Sequence, residues 1–597
     1  MMGIDYKKIG FKCGLEIHVQ LNVGKLFCPC PSILRFDEPD YRVKRKLTPV
    51  AGELGEVDVA AKLEEIKNKT FVYEGYNNEN CLVEIDEEPP HKVNSEALTT
   101  ALQVALMTNM TPIDEFFVMR KTVVDGSNTS GFQRTALIAE NGFVETSEGK
   151  VRITYLYLEE DAARKIKETS KSVFYRLDRL GIPLIELRTE PDIVSAQHAK
   201  ETAEKIGLIT RMTRKAMRGI GTIRQDVNVS IRGGERVEIK GVQDLRSMPK
   251  VIDNEIIRQQ ELLKIKSEIK KNKKPVFNMI NVSKLFVNSK SKIIGGKECY
   301  AIKLSGFKGL IGKEINPDQR LGTEFSDYAK IYGGVKGIIH SDELPRYGIN
   351  NVIILEKMLL CKKNDGFVIV IADEIVARES LKSVFERALA CFKGVPKEVR
   401  NALQNGTTTF LRPMPGAARL YPETDLKPFI ISEDYLKDIY SSLPQTPENE
   451  LKTLIGNGLT KELASQIMKS REISLFEDLF SEFGNARIIA STILFGKDKL
   501  NKEDYKKIFS ALKQGKISKE AVRDIISVVL NGNSVETAIN SYESISDLLV
   551  NRKVKQVVKK CGVKGFAVVM GELMKEFRGK VDGKKLAELV KKELKNK

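Results

Sequence analysis

The hydrophobic period of this chain changes twice along its length, and no single fold accommodates all three regimes. From Phe11 to about Arg258, apolar and polar residues alternate in short runs broken by Gly, Pro and Asn. That is the period of half-buried, mainly antiparallel strands with some helices between them. From about Phe277 to Val399 the stretch reads as self-contained α/β, with a strand at Phe367 to Ala372 and a helix at Glu379 to Cys391. After about Ser432 the pattern is almost wholly helical, punctuated by Gly and Asn. The helical run Asn254 to Lys264 and the basic segment Lys270 to Lys274 before Pro275 mark the first break. A Pro-, Gly- and Arg-rich segment from Thr407 to Asp425, which reads as ordered loop, marks the second. With about 150 residues to a domain, 597 residues make roughly four. There is no internal repeat with a period of about 20–50 residues.

Composition narrows the class. Hydrophobic content of 42% beside 30% charged residues suits globular domains and excludes wholesale disorder. No run of about 18 apolar residues is present, so no membrane span is expected. Met1 to Gly10 is polar and lacks the apolar core of a signal peptide. The eight cysteines are accordingly expected as reduced thiols in a cytoplasmic protein. Net charge is +17, and residues 551–597 carry fifteen Lys or Arg against five Asp or Glu, a net +10. A polyanionic partner and a Lys-rich solvated surface both account for that excess, and charge alone does not choose between them.

The segment Gly14-Leu-Glu-Ile-His-Val-Gln-Leu21 alternates cleanly. Leu15, Ile17, Val19 and Leu21 share one face of a strand, while Glu16, His18 and Gln20 share the other. An acid and one of only four histidines, facing the same way, suit metal or phosphate work better than solvation. Gly221 to Ile231 repeats the device: Arg224, Asp226, Asn228 and Ser230 lie on one face, with Gln225 breaking the pattern. Glu238 and Lys240 form another same-face pair, and acidic residues end the hydrophobic runs at Tyr157 to Asp161 and Ile182 to Glu186. On one sheet, these carboxylates would suit Mg²⁺, with Arg and Lys to neutralise phosphoryl oxygens. Pattern alone favours the plainer reading, an ion-pair network on a solvated sheet face.

No standard nucleotide motif is present. Gly309-Leu-Ile-Gly-Lys313 lacks the first glycine of a phosphate loop and is followed by Glu, and Gly219-Ile-Gly221 continues to Arg224 where a dinucleotide fingerprint needs Gly. Neither H-E-x-x-H nor G-x-S-x-G occurs. Cys28-Pro-Cys30 has the look of half a zinc site, which Cys81 and His91 could complete, but no C-x-x-C pair follows, and buried free thiols are the preferred explanation.

At these residues the chain resembles the B/E family of tRNA-dependent amidotransferase subunits. The matching segments are Gly14 to Leu21, Thr129 to Thr135, Leu158 to Arg164, Gly181 to Leu187, Thr189 to Ile193, Arg224 to Ile231 and Pro415-Gly-Ala-Ala-Arg-Leu-Tyr-Pro-Glu-Thr-Asp425. The insert, above all Gly322 to Pro345, is similar to an extra domain of bacterial-type aspartyl-tRNA synthetases that marks the archaeal E branch. The fold that the resemblance implies is multidomain α+β. Residues 1–276 form an antiparallel β catalytic cradle that returns at 400–431, and 277–399 form the synthetase-like α/β insertion. An all-α helical domain at 432–530 and a basic tail domain at 531–597 would bind tRNA.

What the resemblance implies for chemistry is conversion of Glu-tRNA(Gln) to Gln-tRNA(Gln): ATP phosphorylates the glutamate γ-carboxylate, and ammonia then displaces phosphate. Glu16, His18, Glu160 and Glu186 match the family's metal-binding cluster. Asp226 and Lys121 match positions near the phosphoryl acceptor and a second metal, and Arg224 and Asn228 join them as ATP- or substrate-binding candidates on Asp226's face. The implied cofactors are ATP and Mg²⁺. His18 is an unusual Mg²⁺ ligand, so it would bind through water or accept Mn²⁺. The stretch from Lys121 to Thr129 departs from the bacterial branch, which has an aromatic, Pro-rich segment there. The chain has no amidase signature, so the resemblance implies an asparaginase-like D subunit that supplies ammonia, in a heterodimer or a dimer of heterodimers. The competing readings are a B-type subunit of a trimeric enzyme that also acts on Asp-tRNA(Asn), and a noncatalytic tRNA-binding protein.

Overall fold

The structure is a computed structural model that describes residues 4–48, 55, 68–287, 291, 293–294, 296–414, 420–470, 472–496, 500–543, 547–561, 565–577 and 580–595. It divides into two compact units, Met1–Pro444 and Gln445–Lys597.

The first unit is organised by an eleven-stranded sheet. Its principal strands in chain order are β1 (Lys12–Gln20), β2 (Val118–Thr122), β3 (Phe132–Thr146), β4 (Gly149–Glu160), β5 (Pro183–Thr189), β6 (Ile223–Ser230), β7 (Val237–Val242), β8 (Glu398–Ala402), β9 (Thr408–Pro413) and β10 (Leu420–Pro422). Across the sheet they run β9-β8-β7-β6-β1-β5-β4-β3-β2-β10, with the short strand Thr111–Pro112 added on β3. Every neighbouring pair is antiparallel except β7 and β8. That parallel pair follows from the long crossover between them, which carries the insertion.

Helices α1 (Ser95–Met107), α2 (Ala196–Met212) and α3 (Met248–Ile269) pack against the sheet. Asn94 caps α1 by accepting from the Glu96 and Ala97 N–H groups, and Ser195 caps α2 by accepting from His198 N–H. Against these helices the sheet turns its apolar side, on which Leu15, Ile17, Val19, Ile185, Leu187, Val227 and Val229 are wholly buried. The alternation in Gly14 to Leu21 therefore sends Glu16 and His18 to the face away from the helices.

The insertion has a four-stranded antiparallel sheet of its own, in the order Met279–Asn281, Cys299–Leu304, Gly366–Ile371, Ile339–His340. One face of it packs on α4 (Leu321–Gly333) and α5 (Glu374–Cys391), and these side chains run into the same core as α3 and the main sheet. Helix α6 (Glu433–Ser441) lies on α1, where Tyr435 Oη and Thr99 Oγ1 are 2.9 Å apart. The first helix of the region expected to be helical from residue 432 onward thus packs with the first unit, and the second unit begins at Gln445. Thr407 to Asp425 is not loop throughout, because β9 and β10 extend both edges of the sheet. Residues 415–419 of the motif there lie outside the described residues.

The second unit holds ten helices among the described residues, from Pro447–Gly456 to Gly583–Lys595. The last three, Asp547–Cys561, Phe566–Phe577 and Gly583–Lys595, close on a small core that includes Val554, Val569, Leu573 and Leu586, and they leave their lysines outward. Among the described residues no helix is long and apolar enough to cross a membrane.

Candidate active site

Register assembles the site. Central strand β1 sets Glu16 opposite Arg188 on β5 and Asp226 on β6, and sets His18 opposite Glu186 and Arg224. Directly opposed residues share a face of the sheet. The same rule carries the face outward through Tyr157 and Glu159 on β4, Gln133 and Thr135 on β3, and Lys121 on β2. On the other side it reaches Asn228 and then Glu238 on β7.

Two carboxylate clusters result. In the first, His18 Nε2 lies 3.3 Å from Glu186 Oε2, and Lys121 Nζ donates to Glu159 Oε1 at 2.5 Å while standing 4.0 Å from Glu186 Oε2. One ligand atom from each of His18, Glu159 and Glu186 falls within 4.8 Å of the others, and the same holds for Glu16, Asp226 and Glu238. In this second cluster Lys240 bridges Asp226 and Glu238, reaching Glu238 Oε1 at 2.8 Å. Arg188 ties the clusters together, 3.5 Å from Glu16 Oε1 and 3.1 Å from Glu186 Oε1.

Charge is unbalanced here. Apart from the Arg224–Asp161 pair at its margin, five carboxylates (Glu16, Glu159, Glu186, Asp226, Glu238) face three permanent cations (Lys121, Arg188, Lys240). The titrations follow. Burial raises the Glu16 carboxyl above its ordinary range, Arg188 pulls it back, and the nearby Glu186 and Glu238 charges add to the rise. Burial alone would depress the His18 imidazolium, but Glu186 outweighs it and leaves the histidine raised. Glu186 itself is held well below the usual carboxylate range: burial opposes this, and His18, Lys121 and Arg188 overcome it.

The donor set fits divalent cations. Glu16, Asp226 and Glu238 offer only oxygen, the ligand type Mg²⁺ prefers, whereas the first cluster adds an imidazole and so also suits Mn²⁺. Two buried polar atoms on this face, Asn228 Oδ1 and Thr135 Oγ1, have no hydrogen-bond partner, although Asn228 Nδ2 donates to Glu16 Oε1 at 3.3 Å. Unpaired acceptors beside surplus carboxylates are what a cation and its water shell would satisfy.

Of the residues singled out from sequence, Glu16, His18, Glu186, Lys121, Asp226 and Asn228 come together on this face. Lys121 joins the His18 cluster rather than Asp226. Arg224 shares the face but is committed to Asp161, donating to its Oδ1 at 2.9 Å. Glu160 is the correction: it follows the parity of Leu156 and Leu158, points to the opposite side, and is buried against Arg134, whose backbone N–H donates to Glu160 Oε1 at 3.0 Å. Burial raises its carboxyl and Arg134 opposes the rise. Glu159, one residue earlier, takes the place beside His18. Sequence reasoning also passed over Arg188 and left Glu238 outside the candidate set. The alternation from Leu156 to Glu160 carried the signal for Glu159, but Arg188 and Glu238 acquire meaning only through pairing between distant strands.

Comparison with known proteins gives two family matches, the GatB/GatE catalytic domain over residues 11–437 and the GatB domain over residues 485–594. Among curated relatives, the E subunit of the glutamyl-tRNA(Gln) amidotransferase of Methanocaldococcus jannaschii is 46% identical, covering 100% of both chains. The E subunits of Sulfolobus acidocaldarius, at 43%, and Methanococcus maripaludis, at 42%, each match 100% of this chain and 99% and 100% of their own.

Proposed function

Because the chain belongs to the GatB/GatE family of tRNA-dependent amidotransferase subunits, we propose that its carboxylate-rich sheet face converts Glu-tRNA(Gln) to Gln-tRNA(Gln) at the expense of ATP. The observation that carries the reading is the pair of three-residue clusters on one face, with lysine and arginine between them.

A carboxylate resists attack by ammonia because its leaving group would be oxide. The reaction therefore runs in two steps. A γ-carboxylate oxygen of the tRNA-bound glutamate attacks the γ-phosphorus of ATP, and ADP leaves with the electrons of the broken P–O bond. Ammonia nitrogen then attacks the acyl carbon; inorganic phosphate departs with the C–O electrons and a proton is released from nitrogen. Mg²⁺ held by Glu16, Asp226 and Glu238, or by His18, Glu159 and Glu186, would neutralise phosphate charge and orient the transferring group. Lys121 and Arg188 supply fixed positive charge beside these carboxylates, where phosphoryl oxygens would gain negative charge. Arg224, held by Asp161, gives a further cation at the margin of the face.

Ammonia has to arrive unprotonated, so a partner subunit of asparaginase-like chemistry is proposed as its source. The relatives' names support the glutamyl rather than the aspartyl substrate. The test incubates the chain with that partner, ATP, Mg²⁺ and either Glu-tRNA(Gln) or Asp-tRNA(Asn), and follows the aminoacyl product. Gln-tRNA formed only from the glutamyl substrate, and lost in His18→Ala, is expected. Asn-tRNA formation at a comparable rate would overturn the substrate assignment, and tRNA binding without ATP turnover would overturn the catalytic one.

A further inference from the structure

Most side chains on the carboxylate-rich face are charged or polar, but two on β4 are aromatic. Tyr155 and Tyr157 share the parity of Glu159, so their rings stand on this face while Leu156 and Leu158 are buried on the other. Both rings are half-buried, with centroids 5.7 Å apart and planes inclined at 48°. Half-buried Leu137 on β3 stands opposite Tyr157 and widens the apolar surface.

Register puts this aromatic step at the head of two straight rows. Tyr155 is opposite Arg188, which is opposite Glu16, which is opposite Asp226. Tyr157 is opposite Glu186, which is opposite His18, which is opposite Arg224. Each row therefore runs from an aromatic ring into the groups that would meet metal and phosphate. Neighbouring strands lie about 4.8 Å apart, so Glu16 is roughly 10 Å from Tyr155 and Asp226 roughly 14 Å. An extended nucleoside triphosphate covers a span of that order from base to γ-phosphorus.

We propose that Tyr155 and Tyr157 form the stacking platform for the adenine of ATP, with the triphosphate laid across β5 towards Glu16 and Asp226. This rests on the reading of the face as an ATP site and adds the direction in which the nucleotide lies. An adenine ring is flat and uncharged, and aromatic side chains hold such a base through its π-face. The chain has no phosphate loop and no dinucleotide fingerprint to fix the nucleotide by other means. At the far end of the rows, on β6 and β7, the face carries Arg224, Asp226, Asn228, Glu238 and Lys240 and no aromatic ring. The base thus has a platform at one end only, and the γ-phosphate and the glutamate that receives it belong at the other. Arg188, 43% exposed between Tyr155 and Glu16, would lie beneath the inner phosphates.

The experiment measures equilibrium binding of ADP and of inorganic triphosphate, each with Mg²⁺, to the full chain. The parent is compared with Tyr155→Ala and Tyr157→Ala and with the corresponding Phe variants. The alanine variants are expected to bind ADP roughly 5- to 150-fold more weakly, the range a base–aromatic stack contributes, and the Phe variants to keep most of the affinity. Triphosphate, which has no base, should bind all of them alike. Unchanged ADP affinity in both alanine variants overturns the proposal. So does an equal loss for ADP and triphosphate, which would mean disturbed carboxylate clusters rather than a lost stack. In the complex with the ammonia-supplying partner, the KM for ATP should rise and that for Glu-tRNA(Gln) should not. A rise confined to Glu-tRNA(Gln) would give the platform to the terminal adenosine of the tRNA and overturn the assignment to ATP. A parent that binds ADP with these differences but forms no Gln-tRNA would overturn the transamidation reading and leave the platform standing.

Discussion

Two charge networks in the first unit, built from the same side-chain types, differ in balance and in access. At the junction of insertion and main sheet, Arg258, Arg387 and Arg400 face Glu255, Glu324 and Glu398, three cations against three anions, with every side chain at most 2% exposed. Arg258 reaches Glu255 at 2.8 Å and Glu398 at 2.6 Å, and Arg387 Nε donates to Glu324 at 3.1 Å. Tyr328 and Thr408 take up further hydrogen bonds. On the sheet face, by contrast, five carboxylates meet three cations, and Arg188 is 43% exposed. A closed, neutral network binds elements to each other, whereas an open one with surplus negative charge leaves capacity for a ligand.

The comparison breaks most easily at Glu324. Glu324→Ala leaves the buried Arg387 without a carboxylate partner and takes one partner each from Arg258 and Arg400, and a loss on the order of 3–5 kcal/mol is expected for removing one member of a buried network. Thermal unfolding with local hydrogen exchange in α3, α4 and α5 measures it, and a variant as stable as the parent would dissolve the contrast. Next in size, Glu186→Gln should lower transamidation roughly 10²-fold, as removal of one preorganised charge from an active site does, and should lower the melting temperature less than Glu324→Ala, because Lys121 keeps Glu159, Arg188 keeps Glu16 and His18 can release its proton. Thermal melts and steady-state rates on the same preparation separate the two effects.

A smaller effect has the opposite sign. The folded state raises the Glu16 carboxyl, so the ionised form is disfavoured there, and a neutral isostere should relieve that cost. Glu16→Gln is expected to gain stability, by about 0.5–1 kcal/mol, and to lose activity. A drop in melting temperature would contradict this. The junction network also predicts a response to acid. Burial raises the Glu324 carboxyl, but Arg258, Arg387 and Arg400 overcome that and hold it far below its ordinary value. Its stabilising contribution is therefore full above the unfolded carboxyl pKa near 4.3 and is lost only as pH falls towards the depressed folded value. Exchange protection in α4 should decline below about pH 4 in the parent. In Glu324→Gln that particular slope should be missing.

How much of this was legible in the sequence depended on range. The period-two pattern from Leu15 to Leu21 fixed the face of Glu16 and His18, because alternation is local and one side of the strand is fully buried. The same parity in Leu156, Leu158 and Glu160 pointed to Glu159, yet the paired acids Glu159-Glu160 were assigned by motif, and the motif assignment named the one that faces away from His18. Thr407 to Asp425 read as loop because Pro, Gly and Arg weaken strand signals, which edge strands such as β9 and β10 tolerate. The junction network was out of reach. Arg258 sits in an ordinary helical run, and its partners Glu324 and Glu398 are 66 and 140 residues away. Nor did residues 433–441 reveal that their helix docks on α1, since an amphipathic face does not name what covers it.

The neighbouring acids give the sharpest measurement: ATP hydrolysis dependent on Glu-tRNA(Gln), in the complex with the ammonia-supplying partner, for Glu159→Gln and Glu160→Gln side by side. Strand parity puts Glu159 beside His18 and Lys121, and Glu160 against Arg134 on the far side. Loss of turnover in Glu159→Gln, with Glu160→Gln keeping most of it, is the result this account predicts. Full turnover in Glu159→Gln, with loss confined to a well-folded Glu160→Gln, would contradict it.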